Sequence, residues 1–86
     1  MPDLAVEVAS PTQKQEGLDT KARGYFAGGT ALVWVVWPAR RQIDVWHPED
    51  TLQPGAVLGD GDALSGEQVV QGFSLPVAAV FADAPT

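Results

Sequence analysis

Glu7 and Lys21 are the residues of this chain whose types and placement could do chemistry together. Leu4, Val6 and Val8 alternate with Asp3, Ala5, Glu7 and Ala9, the period-2 pattern of a strand with two different faces. Glu7 lies between two alanines on one of those faces. Burying a carboxylate costs several kcal/mol unless a metal, a cation or hydrogen bonds compensate it. Either that face opens on water or Glu7 has a partner. Lys14, Leu18, Lys21 and Tyr25 follow at i, i+4, i+7 and i+11, one stripe of a helix. If the stripe borders the Glu7 face, a carboxylate and an ammonium meet where strand and helix join. The plainer alternatives are a half-wet acid paired with Lys21, and a solvated helix lysine.

Other candidates are poorer. Asp3 points the same way as Glu7, but four strand residues span ~13 Å, too far for two carboxylates that must each reach one ion at ~2.0–2.6 Å. Gly59-Asp60-Gly61-Asp62 lacks the further ligands of a calcium loop and reads as a turn. His47 is the only histidine and has no second imidazole with which to hold a metal. Ser10 and Ser65 lack the sequence context of a serine nucleophile. Trp34, Trp37 and Trp46 could stack on bases, yet in alternating apolar strands they read as core or interface.

The elements that must position Glu7 and Lys21 follow from the same sequence. Ser10 reads as an N-cap, Pro11 as the first helical residue and Gln13 as the partner in a capping box, with a helix running to about Ala27 and stopping at Gly28-Gly29. Thr30–Trp37 is apolar on both faces, as in a central strand covered on both sides. Pro38–Arg41 turns the chain, and Gln42–His47 alternates with Ile43 and Val45 on one face, predicting an antiparallel hairpin. Ala56–Leu58, Ala63-Leu64 and Val69-Val70 suggest a meander of short strands, and Val77–Phe81 a closing helical turn. The expected fold class is α/β, with a single domain over residues 1–82 and a flexible tail over 83–86.

The 86 residues carry a net charge of −6 and no cysteine. Thiolate metal sites and disulfides are therefore excluded, and a reducing, cytoplasmic setting is expected. The apolar run Ala31–Trp37 is too short to cross a bilayer, and no membrane partner is expected. All five basic residues, Lys14, Lys21, Arg23, Arg40 and Arg41, precede Asp44; seven of the eleven acids stand from Asp44 onward. The second half cannot grip phosphates, whereas the first half is close to balanced and could.

Pro2-Asp3-Leu4-Ala5-Val6-Glu7-Val8-Ala9-Ser10-Pro11 resembles the signature of the Uma-type restriction endonucleases, a bacterial domain family of unknown function. The similarity continues through Lys21, Tyr25, Leu32–Pro38, Val45, Gly59–Leu64, Gly72–Val77 and Phe81. That family is similar to the PD-(D/E)XK nucleases, and the resemblance implies a truncated restriction-endonuclease-like mixed sheet with one main helix and a C-terminal meander. It also implies metal-dependent phosphodiester hydrolysis of DNA, with magnesium or manganese as cofactor. Carried over by position, Glu7 is the metal-binding and catalytic carboxylate. Ala9 stands where the usual lysine would be, and Lys21 matches the displaced catalytic lysine of the family. This chain resembles only the C-terminal half of the family, so the metal-binding aspartate of the other half has no counterpart here, and Trp37 replaces an aspartate before Pro38. The resemblance thus implies an endonuclease-family domain that is incomplete or weakly active; the alternative is a non-catalytic remnant that self-associates or binds a partner. A homodimer or higher oligomer is expected, because Trp46, the tryptophan-rich strand and an uncovered sheet edge leave much apolar surface.

Overall fold

The computed structural model describes residues 3–82; the tail expected over 83–86 lies outside them. Among the described residues nine short elements follow one another. Strand β1 (Leu4–Val8) leads to helix α1 (Gln15–Ala27) and strand β2 (Leu32–Trp37). A turn of 3-10 helix (Pro38–Arg40) joins β2 to β3 (Gln42–Trp46). Then come β4 (Ala56–Leu58), β5 (Ala63–Ser65), β6 (Ser74–Pro76) and a short helix α2 (Val77–Phe81).

The sheet order is β1-β2-β3-β4. β1 runs parallel to β2, with α1 as the crossover, and β2, β3 and β4 pair antiparallel. The result is a mixed α/β sheet. All six residues of β2 are buried, as a strand apolar on both faces requires of a central position. One face packs Ala5, Ala9, Val33, Val35, Trp37 and Trp46 against Leu18 and Ala22 of α1. The other packs Leu32, Trp34, Val36, Ile43 and Val45 against Leu64 and Val77, from the β5–β6 hairpin and α2. All three tryptophans belong to this core, none more than 6% exposed. Trp46 therefore contributes no surface to self-association, contrary to the expectation from sequence; it is fully enclosed between the sheet and α1.

Two boundaries differ from the sequence reading. The helix starts at Gln15, with Lys14 as its cap residue, not at Ser10. Pro11 and Thr12 form a turn instead: the Gln13 amide donates to the Ser10 carbonyl at 3.1 Å, and the Ser10 amide donates to Gln13 Oε1 at 2.7 Å. Proline suits the second position of such a turn as well as the first turn of a helix, and the bonds already made there leave the chain free to re-aim before α1 begins. The third short strand is Ser74–Pro76, whereas Val69-Val70 lies in the turn before it. Pairing of Leu75 with Leu64 draws Ser74–Pro76 into the hairpin, a long-range contact that local periodicity does not register.

Candidate active site

Register places the site. Glu7 stands opposite Val35, and Val35 opposite Asp44, so these three share the face covered by α1. Glu7 is on β1, the edge strand, beyond the part of the face that Leu18 and Ala22 seal. Its side chain keeps 23% of its accessible surface. From α1 two residues one turn apart reach it: the Tyr25 hydroxyl donates to Glu7 Oε1 at 2.9 Å, and Lys21 Nζ lies 3.8 Å from the same oxygen. Together with Gly24 they line an open cavity of about 280 Å³. A Cβ built on Gly24 would meet nothing within 4 Å.

The strand–helix junction thus brings Glu7 and Lys21 together, 14 positions apart in sequence. Of the helical stripe, Leu18 turns into the core, and Lys14 is an exposed residue at the helix start that does not join them. Asp3 is exposed ahead of β1. The Tyr25 phenol is pushed above its ordinary value, first by its hydrogen bond to Glu7, then by burial and by the Glu7 charge. Glu7 Oε2 makes none of these contacts.

Asp44 was not picked out by sequence reasoning. It is 1% exposed and accepts from Trp37 Nε1 at 2.9 Å, Gln15 Nε2 at 3.0 Å and Gln42 Nε2 at 3.3 Å. Its neighbour Trp46 shares its face and was the available signal, since a large apolar residue two positions along argues against a wet face. Among the described residues no three acids or histidines are grouped so as to hold a metal ion.

The Uma2 family model, described as "Putative restriction endonuclease", matches residues 1–78. The chain belongs to this family. Among solved structures, the Uma2 domain is similar to "a putative nuclease belonging to DUF820 from Anabaena variabilis ATCC 29413", at a TM-score of 0.74 and 23% identity. The match covers 94% of this chain and 44% of that one, so the chain spans less than half the length of the protein it resembles. At that identity the likeness is one of fold: the Uma2 domain shares the mixed α/β architecture of that structure. No curated protein matches it. Among the described residues no helix is long and apolar enough to cross a membrane.

Proposed function

We propose that this domain carries the carboxylate–lysine part of a metal-dependent DNA endonuclease centre, with Glu7 as metal ligand and Lys21 as the catalytic lysine. The observation that supports this most is the meeting of Lys21 and Glu7 in an open cavity, on a sheet and helix of nuclease-like fold. A lysine displaced from the strand to the following helix serves the same chemistry only if it returns to the carboxylate, and a 3.8 Å separation does that.

A magnesium or manganese ion fits this residue set in part. Magnesium keeps several waters and is commonly bound through one or two carboxylates plus substrate phosphates; Glu7 Oε2 offers one such ligand. When bound, the ion would polarise a phosphodiester and lower the pKa of a coordinated water. The chain's own residues do the rest. Tyr25 restrains the Glu7 carboxylate by holding Oε1 and leaves Oε2 without a partner among these contacts. Lys21, 55% exposed at its side chain, can leave Oε1 to hold a phosphate oxygen or an attacking water. One carboxylate makes a weak, open site, and a second chain or segment that adds another would raise both affinity and rate.

The test is calorimetric titration with magnesium and manganese, followed by plasmid nicking. Saturable binding is expected in the wild type and lost in Glu7→Gln; nicking is expected to fall at least about a hundredfold in Lys21→Met. Absence of both binding and nicking in the wild type overturns the proposal.

The second reading, a self-associating remnant, rests on a different observation. β1 has β2 on one side and no strand on the other among the described residues, and Val6 and Val8 on its outer face are 50% and 60% exposed. An open, apolar edge of this kind is a template for pairing with another chain.

A further inference from the structure

A second cleft, of about 180 Å³, opens between the turn after β1 and the 3-10 turn after β2. Ser10, Gln13, Trp37, Pro38 and Arg40 line it, and none of its lining residues is an acid, on a chain of net charge −6. It sits at the carboxyl ends of the two parallel strands, where open α/β sheets place their ligands.

Arg40 is held at the mouth of this cleft by a chain of contacts that ends on a buried charge. Its guanidinium lies over the Trp37 ring, 3.7 Å from the centroid, and its Nη1 donates to Gln15 Oε1 at 2.5 Å. Gln15 in turn donates to Asp44, which also accepts the Trp37 indole N–H. A carboxylate 1% exposed and bonded to neutral donors is costly to fold. Here it orients both supports of the guanidinium: the amide that fixes its edge and the ring that fixes its plane. Arg40 itself is exposed, and Nη2 and Nε remain for a ligand. A planar fork of fixed orientation is what a phosphate oxygen pair requires, and immobilising it in advance spares that cost on binding.

We infer that Arg40, with Ser10 and Gln13 beside it, forms a seat for a backbone phosphate of DNA, held in place by Trp37, Gln15 and the buried Asp44. The choice of DNA rests on the endonuclease reading above; the choice of a phosphate rests on the cleft. Ala9, at its near wall, follows the last residue of β1 and lies two residues from Glu7, roughly 7 Å along the extended chain. The seat would therefore hold a phosphate flanking the one presented to Glu7 and Lys21, and would set which bond reaches them. Arg40, Gln15 and Asp44 are on this view positioning residues.

The experiment follows backbone and indole NMR signals during titration with inorganic phosphate and, separately, with a short DNA duplex whose affinity is also measured against salt. With both probes, saturating shifts are expected at Ser10, Gln13, Trp37 and Arg40. Arg40→Gln is expected to weaken duplex binding about tenfold and to reduce the salt slope by about 0.9. Arg40→Lys, which keeps the charge and loses the fork, is expected to restore the slope and only part of the affinity. In Gln15→Leu the Arg40 Nε–H signal is expected to broaden and the affinity to fall while the slope stays. Shifts elsewhere, or an Arg40→Gln variant equal to wild type in affinity and slope, overturn the inference. Cleavage plays no part in these readouts. An empty seat beside Glu7-dependent nicking removes only the seat, and an occupied seat without metal binding or nicking removes only the endonuclease reading.

Discussion

Glu7 shares one oxygen between a phenol and an ammonium, and this has a spectroscopic consequence. Tyr25 is the only tyrosine, so the alkaline absorbance titration of the folded protein reports it alone. It is expected to ionise above the ordinary phenol value, and Glu7→Gln is expected to bring it back toward that value, because the charged acceptor is the first cause of the shift. His47 supplies a second pH effect. Its Nδ1 faces Asp50 at 3.2 Å and its Nε2 faces Glu67 at 2.9 Å. Burial lowers its pKa, but the hydrogen bonds to Glu67 and Asp50, and their charges, outweigh this and leave it raised. A group whose folded pKa is raised stabilises the fold fully below its unfolded value, near 6.5, and loses that contribution as pH rises through the folded value. Urea midpoints are therefore expected to fall from pH 6 toward alkaline pH, and to do so less in His47→Gln. The sequence showed Glu7 and Lys21 because strand and helix periodicities each survive in a short window. It did not show the His47 bridge, whose partner Glu67 is 20 residues away, nor Asp44, whose donors Trp37 and Gln15 come from another strand and from α1.

Among the elements, β1, β2 and β3 follow directly from apolar patterning, since each is long enough to display its period. The start of α1 and the position of β6 do not. Ser10-Pro11 suits two local structures, and the one formed is decided by where α1 must land on the sheet. The β5–β6 hairpin is held together at Gly66, where a Cβ would stand 2.2 Å from the Val70 carbonyl oxygen and 2.8 Å from Val70 Cβ. The first of these is backbone and cannot swing aside. Gly66→Ala is thus expected to destabilise the protein by about 1–3 kcal/mol, as overpacking does, measured by urea unfolding. Because Leu64 and Val77 cap the sheet through this hairpin, near-ultraviolet circular dichroism of the tryptophans should weaken in the same variant.

For the whole molecule, the sheet has one face sealed by α1, the other by the hairpin and α2, and β1 at one side with its outer valines in water. If the edge pairs with a second copy, sedimentation will show a dimer or larger species, and Val6→Lys will shift it toward monomer, since a charge on an edge strand opposes pairing. A monodisperse wild-type monomer would remove this reading. Family membership and architecture were legible across the whole chain because motif residues recur from Pro2 to Phe81. The completeness of the centre was not, since a second carboxylate can come from elsewhere in sequence or from another molecule.

Gly17 and Gly24 interrupt α1 on its exposed side, and neither has an atom within 4 Å of where a methyl group would stand. Each position forgoes about 1 kcal/mol of helix propensity that alanine would supply. Only Gly24 borders the Glu7 cavity, so the pair forms a built-in control for protein engineering. Alanine at Gly17 is expected to raise the melting temperature and leave the cavity mouth untouched; alanine at Gly24 is expected to give a similar gain while narrowing the approach to Lys21. Comparing the two separates tolerance to heat from access to substrate within one helix.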